Sequence, residues 1–237
     1  EAPVEQLYTS QTHPYFRAPH VYVATAARFM LGRRVVTKEQ AESIHVNPNY
    51  ANDVSDAVFM TSRGGGVYDR TFMEAFVAPG IGPENWTSRT NYPALNVVQT
   101  GPSEMSLYVN QNYGQPTAHL RRYSLRLDGF ASVHAGYDGG EMVTRPLIFQ
   151  GSNLVLNYAT SAAGGIKVEV QRPDGSPIPG FALADCRELV GNEIERAATF
   201  AGGDLRGLAG QAVRLRFVLK DADLYALRFQ AEPKGER

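Results

Sequence analysis

In four runs of the C-terminal half, apolar and polar residues alternate with period two. Leu154-Val-Leu156-Asn-Tyr158, Ile166-Lys-Val168-Glu-Val170, Val213-Arg-Leu215-Arg-Phe217 and Tyr225-Ala-Leu227-Arg-Phe229 each place large side chains on one face. Alternation with charged outward positions predicts antiparallel strands, buried on one face and wet on the other. The segments between carry turn chemistry: Asp138-Gly139-Gly140, Gly164-Gly165, Pro173-Asp174-Gly175 and Gly202-Gly203-Asp204. Short strands at this spacing predict an antiparallel β-sandwich over residues 123–237, jelly-roll-like. Leu154, Leu156, Val168, Val170, Leu215, Phe217, Leu227 and Phe229 should face inward. Asp185 to Glu188, followed by Gly191, predicts one capped helical turn inside this domain.

The first half, residues 1–122, is also strand-like but differs in texture, being rich in Tyr, Asn, His and Pro. Apolar runs occur at Val21–Val23, Ala57–Met60, Val97–Val98 and Met105–Val109. Thr37-Lys-Glu-Gln40 has capping-box spacing and predicts a short helix to about Ser43. Gly64-Gly65-Gly66 reads as a hairpin turn. Arg17-Ala-Pro-His-Val-Tyr-Val23 and Asn91-Tyr-Pro-Ala-Leu-Asn-Val97 each set polar groups before an apolar strand. This weak echo suggests two copies of one sheet unit.

Composition narrows the function classes. With 23 Lys+Arg against 24 Asp+Glu, the formal net charge is −1, which argues against an electrostatically driven nucleic-acid binder. The chain has no run of about 18 apolar residues and so no predicted membrane span. A single cysteine, Cys186, excludes an intrachain disulfide framework and a cysteine-based zinc cluster. The five histidines show no metal-ligand spacing, so no metal and no cofactor is expected.

Several segments resemble a bacterial glycoside-hydrolase-like family: five-bladed β-propellers of the invertase, levanase and arabinanase kind, followed by a β-sandwich. They are residues 13–20, 55–63, 84–89, 123–130, 208–217 and 221–225. The resemblance implies an all-β protein with about two propeller blades in residues 1–122 and the sandwich in 123–237. It implies a carbohydrate ligand and secretion or a periplasmic location. It also implies that the chain is the C-terminal portion of a longer parent, whose remaining blades would complete the active site. The parent is then expected to be a glycoside hydrolase, and this portion alone inactive. The alternative is a non-catalytic carbohydrate-binding or structural module.

Glycoside hydrolysis needs two carboxylates flanking the scissile bond. Asp56 immediately precedes the apolar run Ala57–Met60 and is one candidate, Asp53 being its weaker rival. The bland reading has it holding a loop through an Asx-turn. Glu84 is the other candidate, grouped with Trp86, Arg89 and Asn91. A carboxylate, an indole and a guanidinium this close can form a sugar site. The bland reading of the same residues has Trp86 filling core and Glu84 pairing with Arg89. Tyr15 could stack on a sugar and Arg17 could bind hydroxyls or a carboxylate in fork geometry; Arg17 could instead bridge neighbouring blades. If Arg17, Asp56 and the 84–91 group form one site, they should converge on one concave surface.

Overall fold

A computed structural model describes residues 4–231. The chain is all-β, with three antiparallel sheets, none of them closed. It divides into two compact units, Glu1–Leu125 and Arg126–Arg237.

Unit 1 holds two four-stranded sheets. The first contains β1 (Gln6–Thr9), β2 (His13–Tyr15), β3 (Ala18–Met30) and β4 (Val54–Ser62). The long β3 is central. One edge pairs with β4 over nine residues, from Tyr22↔Ser62 to Met30↔Val54. The other edge pairs with β1 at its far end and β2 at its near end, so residues 6–15 form one strand interrupted at Ser10–Thr12. Beyond β4, the chain turns at Gly64 and Gly65, both at positive φ, and bridges back through Thr61↔Asp69 and Ala57↔Val77. The glycine hairpin expected from the sequence is therefore present. Between β3 and β4, α1 (Lys38–Ser43) starts at the expected capping box. The Thr37 hydroxyl accepts from Gln40 N at 3.2 Å, and the Gln40 side chain accepts from Thr37 N at 2.8 Å.

The second sheet has the same plan. β5 (Tyr92–Pro93) and β6 (Val98–Gln99) form an interrupted strand along one edge of β7 (Glu104–Gln111), and β8 (His119–Arg126) lies on its other edge. Two similar sheet units are thus present, but the sequence echo does not mark equivalent places in them. Arg17 sits in the turn entering the central β3, whereas Asn91 precedes the outer β5. The two sheets meet through buried contacts. The His13 ring accepts from Val97 N at 3.2 Å, and the Tyr15 hydroxyl donates to Met105 Sδ at 3.5 Å.

Unit 2 is built around two 19-residue strands. In chain order its elements are β9 (Val133–Ala135), β10 (Gly140–Val143), β11 (Leu147–Ile148), β12 (Asn153–Gln171), β13 (Asn192–Ala197) and β14 (Ala212–Gln230). They form one hydrogen-bonded six-stranded sheet. The four alternating runs of the sequence are halves of β12 and β14. Gly164-Gly165, expected to be a turn, is instead the end of a large bulge. The pairing steps from Thr160↔Ala222 to Gly165↔Lys220, with Asp221 at φ 44°. A Cβ on Gly164 would collide with the carbonyl oxygens of Lys220 and Asp221, so glycine permits the backbones to cross this closely.

Both halves of the long β12–β14 pair contribute to a single core. Leu154, Leu156, Val168, Val170, Leu215 and Phe217 are fully buried in it, and Leu227 and Phe229 pack against it. All eight residues expected to face inward do so. The predicted helical turn at Asp185–Glu188 does not form. Cys186 bridges Phe200 and Leu189 bridges Ile166 in extended pairing, while the Asp185 carboxylate caps Ala182 N at 3.0 Å instead.

Candidate functional site

The segment Trp86–Asn91 bends sharply, with Arg89 at φ 63° and Asn91 at φ 71°. Asparagine tolerates the left-handed region; arginine rarely enters it, so the surroundings must hold it there. They do so through a buried polar network. The Asn91 amide donates to Ser55 O at 3.2 Å and Asn85 O at 3.1 Å, and its oxygen accepts from Gln111 Nε2 at 2.7 Å. Ser55 Oγ donates to Thr90 O at 2.6 Å. Ser88 N donates to Tyr50 O at 2.9 Å, and Tyr113 N to Thr90 Oγ1 at 3.3 Å. The loop is thus tied by its backbone to the residues that carry Tyr50 and Tyr113.

This anchoring sets the Arg89 guanidinium among tyrosines. Its carbon lies 4.9 Å from the Tyr50 ring centre, 5.6 Å from that of Tyr113 and 6.0 Å from that of Tyr8. The rings of Tyr50 and Tyr113 meet edge-on at 5.2 Å, and Tyr8 and Tyr92 lie 5.7 Å apart. Tyr8 is 60 % exposed. Arg89 Nη1 donates to the Tyr50 hydroxyl at 3.3 Å. Hydrogen bonds from Arg89 and Tyr50 hold the Tyr113 phenol below its ordinary pKa. Burial pushes Tyr92 up to about 12, with the neighbouring Tyr8 adding to the rise.

A cavity of about 280 Å³ lies on the same part of unit 1, lined by Val35, Val36, Gln40, Gly82, Pro83 and Trp86. That is near the lower end of small-ligand clefts, about 300–1,000 Å³. Trp86 and Tyr50 both pack against the small core of Val36, Val46 and Ala51. Trp86 therefore both fills core and lines the cavity, and its indole N–H donates to Gly80 O at 3.0 Å. Glu84 does not pair with Arg89. Its carboxylate folds over Gly82, where a Cβ would lie 2.6 Å from Oε2, and its backbone carbonyl accepts from Gln115 Nε2 at 2.9 Å.

Asp56 is 5 % exposed. Arg28 forks it, donating from Nε to Oδ1 at 2.8 Å and from Nη2 to Oδ2 at 2.6 Å. Arg28 also donates to Glu5 at 2.7 Å and to Met73 O at 3.1 Å, and Glu5 in turn binds Arg70. The fork to Asp56, with help from Glu5, outweighs burial and raises the Arg28 pKa. Burial tends to raise the pKa of Glu5, but hydrogen bonds from Arg70 and Arg28 bring it below the usual value.

The structure brings Asp56, Arg89 and Asn91 to one end of the first sheet, through the bonds joining Ser55 to Thr90 and Asn91. It does not bring Arg17 there. Asp56 pairs in register with Arg28, eleven residues along β3 from Arg17, or about 35 Å at the rise of a strand. Arg17 lies in the turn between β2 and β3, beside the buried Tyr15. Asn91 is 0 % exposed with its amide committed internally, so it shapes the loop from beneath. Sequence reasoning missed Tyr8, Tyr50, Tyr92 and Tyr113, which are scattered over a hundred residues. The only signal was the tyrosine-rich texture of this half. It also missed the partnership of Asp56 with Arg28, which exists only through strand register.

No helix is long and apolar enough to cross a membrane, and no metal-binding cluster occurs among the described residues. Comparison with protein-family models, characterised proteins and solved structures finds no match.

Proposed function

We propose that this chain is a carbohydrate-binding portion of a glycoside-hydrolase-like protein, in which the two sheets of unit 1 are propeller blades and unit 2 is the sandwich. The observation that carries the reading is the half-exposed arginine held among three tyrosines beside a tryptophan-lined cavity. Aromatic faces stack on the C–H face of a sugar, and an arginine fork and phenols bind its oxygens. The blade reading draws on the shared plan of the two sheets, an interrupted outer strand on a continuous central one. The sandwich reading draws on the bulge shared by β12 and β14, a device by which strands switch between packed layers.

Binding is favoured over catalysis for the residues of this chain. Both oxygens of Asp56 are committed to Arg28, and Glu84 is folded over the loop that carries it. In this reading hydrolysis belongs to the longer parent. The test is gel retardation of residues 1–237 in a panel of soluble plant and algal polysaccharides, alongside Tyr50→Ala and Tyr113→Ala. Retardation by at least one polysaccharide, lost in both variants, is expected. Migration unaffected by every polysaccharide would overturn the reading.

A further inference from the structure

Resting on that carbohydrate reading, we propose that the Arg89 site selects acidic glycans, those bearing carboxylate or sulfate groups, over neutral ones. An arginine placed in a protein for structural reasons is ordinarily paired with an acid or has its donors spent on carbonyls. Arg126 in unit 2 is such a case. It stacks 4.8 Å from the Tyr225 ring and donates to Asn157 Oδ1, Tyr158 O, Asn192 Oδ1 and Glu193 O.

Arg89 differs in each respect. It forms no ion pair with any described acid, and the groups that shift its pKa are the phenols of Tyr113, Tyr50 and Tyr8. Those phenols raise it and outweigh the opposing effect of burial. One of its five N–H donors meets the Tyr50 hydroxyl at 3.3 Å, and none of its nitrogens is among the buried unpartnered atoms. The remaining donors therefore face solvent. Asp56, next to the Ser55 that ties this loop to β4, is already forked by Arg28.

The site thus presents a fixed positive fork with no internal counter-ion, framed by rings that strengthen a stacked cation. The backbone bonds to Tyr50 and Tyr113 hold it in place before any ligand arrives, so little ordering remains to oppose binding. A ligand that brings a planar carboxylate or a sulfate supplies the missing partner, while its ring lies on the exposed Tyr8. A neutral sugar could use the rings but would leave the fork unpaired.

The experiment measures the affinity of residues 1–237 for polygalacturonate, dextran sulfate and neutral arabinan. Arg89→Ala, Arg89→Lys and the exposed-surface control Arg63→Ala are measured in parallel. The expected result is at least about tenfold tighter binding to one acidic polymer than to arabinan, the weight of one charge-assisted hydrogen bond. Arg89→Ala should bring the acidic polymer to the arabinan level while arabinan binding persists. Arg63→Ala should change neither. Preference for polygalacturonate with a large loss in Arg89→Lys identifies the carboxylate fork; preference for dextran sulfate retained in Arg89→Lys identifies sulfate. Equal affinity for acidic and neutral polymers, or an acidic preference surviving Arg89→Ala, overturns this inference and leaves carbohydrate binding standing. No binding to any of the three overturns this inference, and the wider polysaccharide panel above decides the carbohydrate reading.

Discussion

The two units bury different chemistry. Among the described residues, unit 1 buries fourteen polar or charged side chains and unit 2 buries four. Unit 2 has one continuous apolar core fed by both halves of its long β12–β14 pair. Unit 1 interleaves buried apolar residues, such as Ala24, Ala26, Val58 and Met60, with amides, hydroxyls and the chain of charges from Asp56 through Arg28 and Glu5 to Arg70. An apolar core is forgiving, because its contacts are non-directional. A buried polar network is not, since every unmet donor costs more than a met one contributes. The unit with the costlier interior is the one that carries the arginine–tyrosine site, where directional bonds fix an arginine in a backbone conformation it would otherwise avoid.

The sharpest way to break this contrast is to cut into the apolar core. Phe217 is fully buried at the centre of β14. Phe217→Ala should destabilise unit 2 by about 3–5 kcal/mol through lost burial and the cavity left behind. Hydrogen exchange resolved along the chain should show the loss in β12 and β14 and leave β3 and β4 protected. Equal loss of protection in both units would mean that they do not possess separate cores.

The corresponding cut in unit 1 is Asp56→Ala, which leaves Arg28 buried with Glu5 as its only acid. Removing one member of a buried pair costs about 3 kcal/mol, and the effect should centre on β3 and β4. Asp56→Asn keeps an acceptor for Nε and should lose less. If neither variant changes the protection of β3 and β4, then the fork contributes no stability and Asp56 is held there for another reason.

The same contrast explains what could be read from the sequence. The inward positions of unit 2 were legible because period-two alternation reports directly on an apolar face. What alternation could not say is that four runs belong to two strands. Gly164 and Gly165 look like a turn, yet Gly164 serves to let the Lys220 and Asp221 backbone approach and Gly165 lies against the Glu188 side chain. In unit 1 the pattern fails because Ser55, Asn91 and Gln111 are as buried as any valine. Arg89 and Trp86 were legible as chemistry, being close to one another in the chain. Their setting was not, since Tyr8, Tyr50 and Tyr113 reach Arg89 only through tertiary pairing, and nothing local ties Arg28 to Asp56.

Acid should separate the units more gently. Glu5 has its pKa held below the usual glutamate value of 4.5 in the folded chain. A carboxylate depressed on folding contributes stability that is fully present above its unfolded value and is lost as pH falls through the folded value. Unit 1 should therefore weaken below about pH 4.5, and Glu5→Gln should flatten that acid limb while lowering stability at neutral pH. Thermal melts from pH 7 to pH 3 on both proteins check this. An acid limb of unchanged steepness in Glu5→Gln would assign the loss to other carboxylates.

The smallest effect is expected at the site itself, and it is the most informative. Arg126 and Arg89 both lie over tyrosine rings, and a static picture would rank them alike. Arg126 spends its donors on four acceptors within unit 2, so Arg126→Ala strands Asn157 Oδ1 and the carbonyls of Tyr158 and Glu193, a loss of about 2 kcal/mol. Arg89 meets phenols at the surface, where a cation stacked on an aromatic ring contributes about 0.5–1 kcal/mol. Alanine at position 89 faces the same left-handed backbone as arginine, so the substitution adds little strain of its own. Arg89→Ala should thus cost less than about 1 kcal/mol in a denaturant melt while removing the acidic-glycan preference. A large stability loss in Arg89→Ala would instead make the arginine a strut between Tyr50 and Tyr113. The distinction between a polar interior built to hold a site and one built to hold a fold would then fail at the residue where it matters most.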